Sequence, residues 1–159
     1  MNRRTSIQFG LALAGLARYQ LASAHHGWSS FDQTRPVFLS GRAANVRWRN
    51  PHVEFTLELD PRLQLPADLA DRRVPAQSAQ VDGPSVLKRA VLPNRRDPRW
   101  EIELAPIFRI NQWQIPQIQP GQAVELVGFT FSAEQGSALL RAEYLFLADR
   151  VYGLRSSPA

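Results

Sequence analysis

Apolar and polar residues alternate most regularly over residues 52–60. The apolar side chains fall on one face and the polar side chains on the other, which predicts a strand with one face in a core. The apolar face consists of Val53, Phe55, Leu57 and Leu59. Similar but less regular patterns predict strands over 36–49, 100–104, 123–132 and 138–147.

Two of these strands contain a fault in their alternation. The apolar positions of 36–49 change from odd to even numbers partway along the segment. Because successive side chains of a strand alternate strictly, the change predicts a β-bulge, which we expect near Gly41, Ala43 and Ala44. A second change occurs across Gly128. Bulges bend strands in the way that closure of a small barrel requires.

Residues 61–99 differ in composition from these strands. They contain half of the twelve prolines together with many arginines. This predicts a long Pro/Arg-rich surface insertion, with helical turns at 66–73 and 84–90 that begin at a proline. The arginines could meet an anionic partner, although solvated charge on a loop explains them better.

The order of the elements predicts an all-β fold. Three strands, a short helix over 106–113 and two more strands match an OB-fold-like five-stranded small barrel, with the insertion 61–99 between strands two and three. A closed barrel leaves no exposed sheet edge. A small open β-sandwich is the alternative.

Residues 1–24 have the features of a cleaved export signal. Arg3 and Arg4 supply the positive start, 7–17 the apolar middle, and Ala22-Ser23-Ala24 the small residues that signal peptidase accepts. The apolar run is too short for a permanent membrane anchor. Both Sec and twin-arginine export remain open, because the arginine pair only partly matches the twin-arginine motif.

A cut after Ala24 leaves a lead-in, 25–35, and a single domain, 36–159. We expect this mature chain to be soluble, without a transmembrane anchor, and periplasmic or secreted. The formal charge falls from +5 to +2, since three arginines and no acid precede the cut. So small a charge gives no reason to expect nucleic acid as a partner.

Catalytic and thiol chemistry have little support in the sequence. The absence of cysteine excludes disulfides and thiolate metal sites. No nucleophile motif, phosphate loop or distinctive carboxylate pair is present, so we identify no catalytic residue and do not expect an enzyme.

Three stretches resemble an exported bacterial family, domain-of-unknown-function family 6152, of small periplasmic proteins. They are the double histidine at the signal cut, Trp48-Arg49-Asn50-Pro51-His52-Val53 with the preceding 37–41, and 120–128. The similarity covers the mature chain except 61–99, which is longer than the family's usual connection. The resemblance implies a periplasmic location and a barrel-like fold, and it implies no activity.

All three histidines, His25, His26 and His52, fall within these stretches. After a cut behind Ala24, His25 would chelate a metal through its α-amine and imidazole, and His52 would add a third nitrogen. After a cut behind Ser23, His26 becomes the third residue, which also favours a copper chelate. Imidazole and amine nitrogens suit Cu(II), so copper is the predicted cofactor.

A metal-free role stays open beside the copper hypothesis. OB-type barrels bind ligands across strands two and three. The outward side chains predicted there are Glu54, Thr56, Glu58, Glu101 and Glu103. Acids in a row repel nucleic acid, so the alternative partner is a peptide, a saccharide, another small ligand or a periplasmic protein.

Overall fold

The structure of the protein is a computed structural model that describes residues 27–159. Its helices are short, and within these residues none has the length and apolar character needed to cross a membrane. The strands are β1 (Val37–Arg47), β2 (Glu54–Leu59), β3 (Arg99–Glu103), β4 (Ala123–Phe129), β5 (Leu139–Leu147) and β6 (Arg150–Gly153). The α-helices are α1 (Gly83–Arg89) and α2 (Ile107–Gln112), and single 3₁₀ turns lie at Trp28–Ser30, Leu69–Asp71 and Ser132–Glu134.

Five strands close into a barrel. β1 pairs antiparallel with β2 and β4, β2 with β3, and β4 with β5, and a parallel pairing of β3 with β5 closes the ring. α2 lies between β3 and β4 in the chain, and the insertion 61–99 lies between β2 and β3. The prediction of an all-β five-stranded barrel is confirmed. The additional strand β6 pairs with β5, and Tyr152 and Leu154 are buried there.

The barrel interior is an apolar core made by the inward positions of the alternating strands. Burying these side chains removes apolar surface from water, which is the main favourable contribution to folding. The inward faces predicted for the second and third strands are confirmed, with Leu59 packed at the margin of the core. The fully buried members from these two faces are Val53, Phe55, Leu57, Trp100, Ile102 and Leu104.

The bulge in β1 lies beyond the predicted position. The pairing of β1 with β2 shifts by one residue between Ala44 and Arg47, and Asn45 has a φ of 48°. Asparagine adopts this left-handed conformation more readily than most residues do. Gly41 has a different role: a Cβ at this position would lie 2.1 Å from the carbonyl oxygen of Glu58, so glycine allows β2 to approach. The bulge predicted around Gly41, Ala43 and Ala44 is therefore present, but it begins just beyond Ala44.

The insertion 61–99 builds a second core instead of lying only on the surface. Its buried apolar residues pack on the outer side of the barrel. Helix α1 begins with Asp82, whose carboxylate accepts a hydrogen bond from the backbone N–H of Ser85 at 3.0 Å. The buried residues that the insertion contributes are Leu69, Val86, Leu87 and Ala90, and the barrel contributes Phe38, Val127, Phe129, Leu139, Tyr144 and Phe146.

Candidate functional site

His52 lies at one end of the barrel, which we call the His52 end. The next residue, Val53, continues the β2–β3 ladder: its N–H donates to Ala105 at 3.1 Å and its carbonyl accepts from Leu104 at 2.9 Å. Because Val53 points into the barrel, its neighbour His52 points to the outer side, where it is partly exposed. His25 and His26 lie outside the described residues.

A row of outward side chains, which we call the outer row, starts beside His52 and crosses all five strands of the barrel. The strand register places Arg47 beside Glu54, Glu54 beside Glu103, Glu103 beside Arg141, and Arg141 beside Phe129. Arg47 forms an ion pair with Glu54, and Arg141 forms one with Glu103. Two ion pairs therefore lie side by side next to His52.

The Glu103–Arg141 pair is buried. The residues are 3% and 5% exposed, and the Arg141 guanidinium donates to the Glu103 carboxylate at 3.1 Å. Burial lowers the pKa of Arg141, although the neighbouring carboxylate of Glu103 opposes this effect. Arg109 of α2 lies nearby, and its pKa is lowered by burial and then by the charge of Arg141. The Nε atoms of both arginines are buried, with no hydrogen-bond acceptor among residues 27–159.

A second buried carboxylate follows in β5. The fault predicted in the fourth strand across Gly128 is wrong, because β4 pairs with β1 without a shift. The pairing of β4 with β5 does shift between Val127 and Gly128, and the extra residue lies in β5. Consequently Glu143 and Tyr144 both point to the outer side, as a bulge allows. Glu143 has no exposed surface; its carboxylate accepts from Arg155 at 2.7 Å and from Gln77 at 3.0 Å.

The lead-in is fixed to the outer side of the barrel by the aromatic contacts of Trp28 and Phe31. The ring of Trp28 lies 3.8 Å from the Arg155 guanidinium and 5.2 Å from that of Arg141, and it meets Phe129 edge to face. Phe31 stacks on Phe131 with ring centroids 5.0 Å apart. The chain that directly follows His25 and His26 is thus held beside the outer row.

Sequence reasoning missed most of these partners. It described Glu103 as part of an exposed acidic face, and that description is wrong: the register brings Arg141 beside Glu103 and buries both. Glu54 is likewise tied to Arg47. One signal was available, because Arg141 and Glu143 interrupt an otherwise apolar run over 139–147. Charged residues in such a run are seldom buried without partners.

A groove of 1110 Å³ lies farther along the strands from His52, in a region that we call the groove end. Its lining includes Gly41 from β1, Arg62 and Arg72 from the insertion, and Arg150 from β6. Arg72 binds the carboxylates of Asp68 and Glu125 and lies over the ring of Phe146. Arg62 is exposed and makes no ion pair within the described part of the chain.

No preassembled metal cluster exists within residues 27–159. No group of three or more His, Cys, Asp and Glu side chains in this part of the chain is gathered closely enough to hold a metal ion. Of the predicted metal ligands, only His52 lies within the described residues. These residues can therefore supply one ligand of a metal site that would also need the N-terminus.

Comparison with known proteins gives a family without an assigned activity. The model of a family of unknown function, DUF6152, matches residues 13–94, which is more than half of the chain. The match spans most of the insertion, which the resemblance left out, and ends before β3, so the similarity over 120–128 lies beyond it. No curated protein and no solved structure matches the chain.

Proposed function

The chain belongs to the DUF6152 family of unknown function, and we propose that it is an exported, copper-binding protein of the periplasm. In this proposal Cu(II) is held by His52 together with the histidine-containing N-terminus that remains after the leader is removed. The α-amine and the imidazole nitrogens would supply the ligands, a donor set that suits Cu(II). The protein would act as a binding or accessory protein rather than as a catalyst.

The position of Trp28 is the observation that carries the proposal. Trp28 contacts Arg141, which lies two strands from Glu54 along the outer row. Two strand spacings and two residues along β2 separate Arg141 from His52, a distance of about 12 Å between backbones. His25 precedes Trp28 by three residues, which extend about 10 Å. In this proposal the short chain between His25 and Trp28 lets His25 approach the outer surface on which His52 lies.

The location on the barrel also supports a binding site. OB-type barrels bind their ligands across strands two and three and the adjoining loops β1–β2 and β4–β5. His52 lies in the β1–β2 connection, and Trp28 and Phe31 pack on Phe129 and Phe131 at the end of β4. The proposed copper site thus coincides with the surface that this type of barrel most often uses.

The experiment begins with mass spectrometry of the exported protein, which identifies the mature N-terminus. Cu(II) is then titrated into wild type and into His25→Ala, His26→Ala and His52→Ala. After a cut behind Ala24, we expect His25→Ala and His52→Ala each to weaken binding more than about 100-fold, beyond the usual loss for a ligand's hydrogen-bond partner. His26→Ala is the matched control and should bind as wild type does.

A cut after Ser23 would exchange the roles of His25→Ala and His26→Ala. If Ala24 is the first residue, His26→Ala should abolish tight binding and His25→Ala should have the smaller effect. A wild-type Kd above about 1 μM, or a Kd that His52→Ala leaves unchanged, would show that the proposed site is wrong.

The groove favours the metal-free alternative. Its 1110 Å³ is sufficient for a small ligand or a segment of a partner, and Arg62 is free there to bind acidic groups. Isotope-labelled protein titrated with uronic-acid oligosaccharides or acidic peptides would locate such a ligand. Shifts confined to the groove, in a protein that does not bind Cu(II), would favour this alternative.

A further inference from the structure

The groove end has a floor that crosses four strands of the sheet. The strand register places Ser40 beside Glu125, Glu125 beside Phe146, and Phe146 beside Val151, and all four line the groove. Three strand spacings give the floor a length of about 14 Å, which accommodates about four residues of extended chain. The volume of 1110 Å³ also exceeds the range of about 300–1,000 Å³ that is usual for small-molecule pockets. The groove therefore has the dimensions of a site for a peptide segment.

The charges over the floor are already paired with one another. Arg72 lies over the ring of Phe146 and binds the carboxylates of Asp68 and Glu125 at 3.0 and 2.5 Å. The hydrogen bond to Asp68 is the main reason why the pKa of Arg72 is raised above its ordinary value. Because these three side chains satisfy each other, the charge that a ligand meets is decided at the rim of the groove.

The rim of the groove carries three arginines that form no ion pair within residues 27–159. These exposed arginines are Arg42 from β1, Arg62 from the insertion and Arg150 from β6. Arg42 donates to the carbonyl of Gly121 at 2.9 Å, so Arg62 and Arg150 have the greater freedom to bind a ligand. Guanidinium groups bind carboxylates through two parallel hydrogen bonds. The arginines therefore favour a ligand that carries carboxylates.

The rim also carries three acids, which oppose this preference only in part. Glu58 lies 3.5 Å from Arg99, outside the groove lining. The carboxylate of Asp60 accepts a hydrogen bond from the backbone N–H of Arg62 at 2.8 Å, and Asp149 is exposed in the turn between β5 and β6. The unpaired charges of the rim are therefore three arginines and two aspartates, which leaves a net charge of +1.

β6 has an unpaired edge beside the groove. The N–H of Leu154 donates to the carbonyl of Glu143 at 2.8 Å. Since hydrogen-bonded and non-hydrogen-bonded pairs alternate along an antiparallel ladder, the N–H and C=O of Val151, three residues earlier, point away from β5. Among residues 27–159 no strand pairs with this edge, and neither group of Val151 has a backbone partner. Val151 is partly exposed, so it can form two main-chain hydrogen bonds with an added chain.

We propose that the groove end binds an extended acidic segment of a partner protein, which pairs with β6 at Val151 and places its carboxylates against Arg62 and Arg150. When a peptide adds to a free sheet edge, main-chain hydrogen bonds provide affinity and side-chain contacts provide specificity. An oligosaccharide cannot pair with the edge in this way. The groove contains none of the proposed copper ligands, so this inference is independent of the copper site.

The probe is a capped heptapeptide in which glutamate alternates with threonine. It is titrated into isotope-labelled wild-type protein, and the shifts of the backbone amides are followed by nuclear magnetic resonance. We expect saturable binding with a Kd below about 1 mM and the largest shifts at Arg62 and over 150–153. The same peptide with lysine in place of glutamate should bind at least about tenfold more weakly, because its charges meet the arginines of the rim.

Two N-methylated peptides test the pairing with β6. One is methylated at the backbone nitrogens of the threonines and the other at those of the glutamates, so each blocks one edge of the peptide and keeps its charges. Because only one edge of the peptide faces Val151, we expect one of the two to lose binding and the other to retain it.

Protein variants test the contribution of the arginines. Arg62→Gln and Arg150→Gln should each raise the Kd for the glutamate peptide by about two- to fivefold, as expected for exposed ion pairs, and the double variant should raise it further. Arg73→Gln is the matched control, because Arg73 is an exposed arginine of the insertion that does not line the groove, and it should bind as wild type does. Circular dichroism establishes that each variant is folded.

Three results would overturn the proposal. The first is equal binding of the glutamate and lysine peptides, or no shift in the groove at about 1 mM peptide. The second is binding of both N-methylated peptides with the affinity of the parent, which would exclude pairing with β6. The third is a uronic-acid oligosaccharide that shifts the same amides at lower concentration than the peptide does, which would assign the groove to a saccharide instead.

Discussion

Two regions of the barrel surface use similar charged residues in opposite ways. At the His52 end, Glu103 and Arg141 are buried and paired, and the ring of Trp28 lies above Arg141. At the groove end, Arg62 and Arg150 are exposed to solvent around a wide groove. The first arrangement fixes the directions of its side chains, and the second leaves them free to adapt.

This difference indicates which part of the fold can hold side chains in a fixed geometry. A metal site needs ligands held in a narrow range of geometries, and such precision comes from side chains locked by packing and by hydrogen bonds. Of the two regions, the one around Glu103 and Arg141 has side chains that are fixed by burial and by a hydrogen bond. An adaptable groove suits a larger ligand that is recognised by several weak contacts.

The largest effect that we expect comes from breaking the buried pair. Arg141→Ala removes the positive partner of Glu103 from a buried position and should lower the free energy of unfolding by about 3–5 kcal/mol. Arg99→Ala is the matched control, because Arg99 lies 3.5 Å from Glu58 in an exposed pair and should change stability by about 0–1 kcal/mol. Urea unfolding of both variants measures the difference. Equal losses would contradict the contrast between the buried pair and the exposed pair.

Glu134 tests how the loop between β4 and β5 is held. Its carboxylate accepts from the backbone N–H groups of Asn94 and Arg95 at 2.9 Å and binds the Arg35 guanidinium. Burial alone would raise the pKa of Glu134, but these three interactions outweigh it and hold the pKa below its ordinary value. The stabilisation is therefore present above the unfolded-state pKa and is lost as the pH falls through the folded-state pKa.

Glu134→Gln should accordingly lose about 1–3 kcal/mol of unfolding free energy at neutral pH. The variant should also lose less stability than wild type when the pH is lowered from about 5 to 3, the range in which glutamate titrates. Urea unfolding across this range measures both effects. The exposed neighbour variant Gln135→Ala should follow wild type, and a Glu134→Gln curve parallel to wild type would contradict the prediction.

The smallest effect is expected at the wall of the groove. Arg62→Ala should change the free energy of unfolding by less than about 0.5 kcal/mol, because the side chain is exposed and forms no ion pair within the described residues. Gly41→Ala, at the floor of the same groove, should cost about 1–3 kcal/mol, since its Cβ would meet a backbone oxygen of β2. Thermal unfolding measures the loss of stability in both variants. A loss in Arg62→Ala as large as that in Gly41→Ala would contradict the prediction.

The fold was largely predictable because its signals are local. Alternation identified the inward residues of β2 and β3, and Pro106 and Pro116 bounded the region of α2. The insertion was less predictable. Its apolar residues are spaced among prolines and arginines, and only the outer side of the barrel, formed by distant strands, shows what Leu69 and Leu87 bury against.

The candidate site was predictable only in part. His52 could be singled out because the chain has three histidines, all in stretches that resemble one family. Glu103 and Arg141 could not be connected, because 38 residues separate them along the chain. Their contact depends on the parallel pairing of β3 with β5, and no local pattern specifies the register of that pairing.

By itself, the sequence determined the inward faces of the strands, their order and the short helix between β3 and β4, because side-chain alternation and proline geometry act over a few neighbouring residues. The tertiary structure alone decided which charges are buried and which are exposed. Barrel closure brings β3 beside β5, the bulge in β5 turns Glu143 to the outer side, and the lead-in places Trp28 over Arg141. These contacts join residues far apart in the chain, so their chemistry exists only after the barrel has closed.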